Sequence, residues 1–162
     1  MMKRKHSCIL MWQTILAVGL ACVLLKTKRQ LYSEKKNVNK YSDLYKLMAQ
    51  WIEAAQNGQF IAEWLKKNKY MSVAIYGMSL IGERLYVELT DREIQVAYGI
   101  DRLSREYLDG IKMYKPSDVL PMADAVIVTA IHDFEEIKEQ LRGKVNCPII
   151  SFRDIVNELL IQ

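Results

Sequence analysis

Beyond residue 70 the apolar positions alternate between two patterns. Short unbroken apolar runs are separated by stretches in which apolar residues recur every three or four positions. Ser72–Tyr76 (SVAIY), Gln95–Ile100 (QVAYGI) and Asp124–Ala130 (DAVIVTA) are runs of the first kind, rich in β-branched residues, and read as strands. Ile111–Tyr114 reads as a further short strand, and Cys147–Ile150, containing Pro148, as a short final one. Ile81, Leu85 and Leu89 mark one helix face, and Phe134, Ile137 and Leu141 a second. Ile155, Val156, Leu159 and Leu160 mark a final helix. Asp133 with Glu136, and Ser151 with Asp154, have the spacing of helix-capping residues. Pro116–Pro121 reads as a turn around a single helical turn. Continuous apolar strands interleaved with helices predict an α/β fold, a parallel sheet covered on both faces.

Two amphipathic stretches precede this region. Leu44, Leu47, Met48, Trp51 and Ala55 recur at helical spacing until Asn57-Gly58 breaks the pattern. Phe60, Ile61, Trp64 and Leu65 begin a second short helix that ends near Asn68. Trp51 and Trp64 are expected to pack these helices against the sheet domain.

Further upstream, Cys8–Leu25 carries no charge. As a helix it would extend about 27 Å at roughly 1.5 Å per residue, enough for a bilayer core with lysines snorkelling at both ends. Its apolar character runs on through VGLAC into VLLK, without the polar start that follows a cleaved leader. A lipidated Cys22 fits poorly with Gly19 three residues before it and apolar residues after it. The reading is an uncleaved single-pass anchor. Residues 1–7 form a basic N-terminus, 8–25 the anchor, and 26–40 a basic linker or helical extension. Residues 41–70 form a helical pair and 71–162 the sheet domain. Lys26, Lys28, Arg29, Lys35 and Lys36 outnumber Lys3, Arg4 and Lys5 across the span, which places the folded domain in the cytoplasm by the positive-inside rule.

Composition narrows the function classes. The net charge of +4 comes from basic residues crowded into the first quarter of the 162-residue chain. The sheet domain carries no basic surplus, so nucleic acid is not an expected partner. Cys8, Cys22 and Cys147 form no C-x-x-C pair, and His6 and His132 are the only imidazoles. No disulfide framework or metal site is expected.

The candidate chemistry lies in AIYGMSLIGERL, Ala74–Leu85. Gly77 and Gly82 have the spacing of the outer glycines in G-x-G-x-x-G, and Ser79 stands where the middle glycine belongs. Such a turn leads a strand into a helix whose N-terminal amides can meet a phosphate. Asp101, 24 positions after Gly77, ends the second strand near the distance at which an acid meets a ribose hydroxyl. Gly77, Met78, Ser79, Gly82, Asp101, Arg102, Thr129 and His132 therefore form the candidate ligand-binding set, with Arg105 a further basic residue in the same loop. The alternatives are structural. Gly82 serves helix–strand packing, Ser79 caps the helix with its own hydroxyl, Asp101 is a turn residue, and His132 closes a strand–helix junction. No catalytic residue is assigned: the chain has no Tyr-x-x-x-Lys pair, no G-x-S-x-G elbow and no P-loop.

VAIYGMSLIGERLYVEL, VAYGIDR and ADAVIVTAIHDFEEIKEQL together resemble the Rossmann-like nucleotide-binding domains attached to bacterial enzymes of capsule and surface-polysaccharide assembly. Sugar acetyltransferase N-terminal domains and domains fused to glycosyltransferases are of this type. The resemblance covers residue 41 to the C-terminus. It implies a nucleotide, nucleotide-sugar or NAD(P) ligand at the loop of Gly77 and Gly82, with Asp101 at the acidic strand end. Under a ligand-free reading, the helices carrying Trp51 and Trp64 would dock a glycosyltransferase or a second copy of the chain. The sequence departs from that type at Ser79 and in having no fused catalytic domain. An oxidoreductase or epimerase acting with a partner lobe, and a ligand-free interaction module, are the alternative readings.

Overall fold

The computed structural model describes residues 2–103, 107–108 and 110–161, with side chains described at 20, 22–103 and 110–161. The chain divides into two compact units, Met1–Tyr45 and Lys46–Gln162. The first helix, α1, runs Met2–Gln56. The basic stretch 26–40 is therefore helical rather than an open linker. It contains no glycine or proline and is rich in lysine, residues that cost a helix little. Among the described residues no helix is long and apolar enough to cross a membrane. The expected span Cys8–Leu25 falls mostly on positions whose side chains lie outside the described residues.

The second unit begins inside α1. That helix stops where Asn57-Gly58 predicts: Gly58 takes φ +77°, and the Gln59 amide donates back to the Ala54 carbonyl at 2.9 Å. α2 (Ile61–Lys67) follows, then β1 (Ser72–Tyr76), α3 (Leu80–Asp91) and β2 (Gln95–Ile100). Next come β3 (Tyr107–Leu108), β4 (Ile111–Tyr114), β5 (Ala125–Val128), α4 (Phe134–Leu141), β6 (Ile149–Ser151) and α5 (Phe152–Leu159).

The sheet order is β3-β4-β2-β1-β5-β6. Every pairing is parallel except β3 with β4. The parallel strands step outward from β1 through β2 to β4, and then restart on its other side with β5 and β6. Chain order thus reverses between β1 and β5, next to the central strand. All four residues of β5 are buried, and all of β1 after Ser72, as expected of strands covered on both faces. On one face Ala74, Tyr76, Val126 and Val128 cluster with Ile137 and Leu141 of α4. The alternate residues Val73, Ile75 and Ile127 are equally buried. α3 contacts β1 and β2, burying Ile81, Leu85 and Leu89.

The upstream helices belong to this unit, as Trp51 and Trp64 suggested. The Trp51 ring meets Phe152 of α5 edge-on at 5.0 Å, and its indole N–H donates to Glu88 of α3 at 2.8 Å. The Trp64 indole donates to Glu158 at 2.8 Å.

Four local expectations are corrected. The last strand starts at Ile149, two residues late, because Pro148 has no N–H and contributes only its carbonyl, which accepts from Val126 at 2.9 Å. Pro116–Pro121 begins with the expected turn, closed by the Asp118 amide on the Lys115 carbonyl at 3.0 Å, but forms no helix; Asp118 folds back to accept from the Lys115 amide at 2.8 Å. Neither Asp133 nor Ser151 makes a side-chain cap bond. The two-residue strand β3, paired antiparallel to β4, was not anticipated.

Candidate functional site

The glycine turn lies where chain order reverses. In open parallel sheets that position, beyond the carboxyl ends of the strands, leaves a crevice. β1 ends at Tyr76, and Gly77 turns with φ +92°. Its amide donates to the Ile100 carbonyl at the end of β2, at 2.8 Å. A Cβ on Gly77 would stand 2.7 Å from the Thr129 hydroxyl. A Cβ on Gly82 would strike the Gly77 carbonyl oxygen. Gly77 is thus required by its positive φ and the close Thr129 hydroxyl, and Gly82 by close backbone approach, whatever the site holds.

Asp101 and Thr129 lock this turn from opposite sides. The Met78 amide donates to one Asp101 carboxylate oxygen at 3.0 Å, and the Leu103 amide donates to the other at 2.9 Å. The buried Thr129 hydroxyl lies 2.6 Å from the Gly77 carbonyl and 3.1 Å from that of Tyr76. The Thr129 amide donates to Tyr76 as well, at 2.9 Å. Met78 turns its side chain into the protein, 4% exposed, against the backbone of Gly99.

Ser79 is exposed, in extended conformation at the N-cap of α3. Its carbonyl accepts from the Glu83 amide at 2.9 Å, but its hydroxyl makes no cap bond. The side chain has therefore not taken the capping role that would fill an anion site at this helix start.

Arg102 leaves the end of β2 and reaches Glu136 on α4, at 3.0 Å. The Tyr76 hydroxyl and Glu136 hold the guanidinium above its ordinary pKa. Tyr76 itself donates to Gln140 at 3.3 Å. Arg102 is thus tied to residues of β1 and α4. Glu136, expected to complete a capping pattern with Asp133, pairs with Arg102 instead. Arg105 lies outside the described residues.

His132 belongs to a different hollow, of about 300 Å³, at the ends of β5 and β6. Asp133, Glu136, Ser151, Arg153 and Asp154 share its lining.

Residues 69–148 match the family model described as C2185-like, N-terminal. No curated protein and no solved structure matches the chain. The matched stretch runs from just before β1 to just before β6, so it contains every candidate residue and leaves out α1, α2 and α5.

The structure brings Gly77, Met78, Gly82, Asp101 and Thr129 together in one turn, with Ser79 on its exposed rim. Arg102 and His132 serve other contacts. Tyr76, which holds Arg102 together with Glu136, was not among the expected site residues, and Glu136 was expected only as a capping partner; the signal for Tyr76 was an aromatic residue at a strand end. An apolar groove of about 460 Å³ also opens between the end of α1 and α3, with Ile52, Leu80, Arg84 and Val87 in its walls. Among the described residues no group of three or more His, Cys, Asp or Glu could hold a metal ion.

Proposed function

We propose that residues 71–162 form a Rossmann-like domain that binds a nucleotide or nucleotide-sugar. Cys8–Leu25 would anchor it in a membrane with the domain on the cytoplasmic side, and it would act as an accessory in surface-polysaccharide assembly. One observation carries the binding claim: the glycine turn sits at the reversal of chain order, with an exposed helix start that Ser79 does not cap. A diphosphate placed there would meet first-turn amides and the positive end of the helix dipole. Asp101 fits a ribose hydroxyl in part. Each of its oxygens already accepts one amide, and each keeps a second lone pair for a ligand. An acid at this position suits the free 2′-hydroxyl of NAD or a nucleotide-sugar better than the 2′-phosphate of NADP. The anchor and the polysaccharide role rest on the uncharged N-terminal run and on the sequence resemblance.

Calorimetric titration of the full chain with NAD, NADP, UDP-sugars and CDP-linked compounds tests the binding claim. Binding of one of these is expected, and Ser79→Gly is expected to tighten it by removing a Cβ from the path of the phosphate. The absence of heat with every compound, in both proteins, would overturn the claim.

A second reading, a ligand-free interaction module, is favoured by the apolar groove beside α3. Under that reading the acid and the hydroxyl complete the fold, and the groove takes a partner.

A further inference from the structure

The first unit is helical throughout its described residues, and the large apolar side chains described in it, from Leu20 to Tyr45, include many that are exposed. Leu24, Leu31, Val38 and Tyr45 recur every seventh residue, and they are 55%, 60%, 64% and 76% exposed. A strict seven-residue apolar repeat on a 3.6-residue helix drifts slowly around it, and two such helices keep the stripe buried by supercoiling left-handedly. We propose that a second copy of this chain covers the stripe, forming a parallel two-stranded coiled coil over residues 27–45, with Leu24 continuing the stripe into the end of the proposed anchor. This inference is independent of nucleotide binding.

With the repeat at position a, Thr27, Glu34 and Tyr41 fall at position d. Tyr41 is apolar over most of its surface. The Thr27 hydroxyl donates to the Val23 carbonyl at 3.0 Å, so its polar group is satisfied within its own helix and can enter a seam. Glu34 is the one charged seam residue. In a parallel pair it faces Glu34 of the second copy, and Lys35 at the flanking position e of each copy offsets that repulsion.

The flanking charges select the orientation. Lys28 and Lys35 stand at e, while Gln30 and Asn37 stand at g. Parallel strands set g against the e position five residues on, so Gln30 meets Lys35 and Asn37 meets Ser42, and no like charges oppose at these flanking positions. Antiparallel strands set e against e and bring Lys28 and Lys35 of the two copies together. A parallel pair also starts its two N-termini on the same side, as two anchored copies would.

The experiment is disulfide crosslinking of the full chain in mild detergent, in a background with Cys8, Cys22 and Cys147 replaced by serine. L31C and V38C lie on the seam and should give covalent dimers under mild oxidation. K36C, at position f on the outer face, should not. Sedimentation should show dimer mass for the wild type and monomer mass for L31K/V38K. E34L should move the other way, lowering the dimer dissociation constant roughly tenfold or more, about 1.4 kcal/mol or greater; a misfolded variant would not tighten. Monomer mass for the wild type, equal crosslinking at position 36, or dimers that crosslink at neither 31 nor 38 would each overturn the proposal.

Discussion

Glu88 of α3 joins three elements through one carboxylate. One oxygen accepts from the Ile61 amide at 2.7 Å and the Ala62 amide at 3.3 Å; the other accepts from the Trp51 indole at 2.8 Å. Ile61 and Ala62 open α2, and Phe60 at its N-cap has no side-chain oxygen to offer their amides. A residue from another helix therefore supplies the missing cap. Glu88→Ala removes that cap, worth about 1 kcal/mol in typical cases. It also leaves the indole N–H without its acceptor in a half-buried setting, at about 1–2 kcal/mol. The expected loss is roughly 2–3 kcal/mol, or on the order of 10 °C in Tm for a domain of this size. Urea denaturation followed by tryptophan fluorescence and by circular dichroism measures it, with the midpoint falling and the slope unchanged. Glu88→Gln keeps one acceptor and turns the other into a donor facing a donor, so it should recover no more than about half of the loss. Trp51→Phe removes the indole N–H beforehand, so Glu88→Ala in that background should cost only the cap, and the cycle should show about 1 kcal/mol or more of coupling. A Glu88→Ala protein within about 0.5 kcal/mol of wild type would refute the reasoning. So would an equal loss with and without the Trp51 indole.

Gly82→Ala drives a methyl into the Gly77 carbonyl, so it should cost about 1–3 kcal/mol in urea denaturation and weaken any nucleotide binding with it. An unchanged midpoint would mean the turn and helix can separate freely. Tyr98 is 1% exposed and donates to the Pro121 carbonyl at 2.8 Å. Burial, helped by Cys147 and Tyr114, pushes its phenol up to about 12. The unfolded chain releases this proton near pH 10, so stability from this group is complete below pH 10 and falls as pH rises from 10 toward 12, by up to roughly 2–3 kcal/mol. Denaturation midpoints at pH 9 and 11 should converge in Tyr98→Phe relative to wild type, and an identical pH slope in the two proteins would refute the assignment.

Much of the sheet was legible because its strands are short, buried on both faces and separated by helices of clear period. SVAIY and the central AVIV of DAVIVTA became β1 and β5, the two strands that flank the reversal. The turn at Asn57-Gly58 was equally plain. What stayed hidden depends on partners distant in sequence. β3 is two residues long, too short to carry a period, and exists by pairing with β4. Pro148 sat inside an apolar run, and only the pairing of Val126 with Ile149 shows that the ladder begins after it. The basic stretch after the uncharged run read as a linker because charge was weighed before spacing. Leu31 and Val38 within it, seven residues apart and in step with Leu24 and Tyr45 on either side, are the more specific signal.

The candidate site shows why a motif locates residues better than it assigns their work. Gly77, Asp101 and Thr129 were expected to face a ligand together, and the structure does bring them together, through contacts with the turn itself. Asp101 accepts the Met78 amide, and Thr129 holds the Gly77 carbonyl. Those bonds fix the turn, and a fixed turn is also what a phosphate site requires, since oriented amides bind an anion without first being ordered. Structural engagement of Asp101 and Thr129 therefore does not count against binding. The discriminating residue is Ser79. Had its hydroxyl capped α3, a phosphate would have to displace it. It makes no such bond, so its remaining effect on a ligand is the bulk of its Cβ at the rim. Ser79→Gly isolates that bulk. A gain in nucleotide affinity of about tenfold, some 1.4 kcal/mol, would mark the serine as an obstruction at a working phosphate site. A loss would mean that the hydroxyl donates to the phosphate.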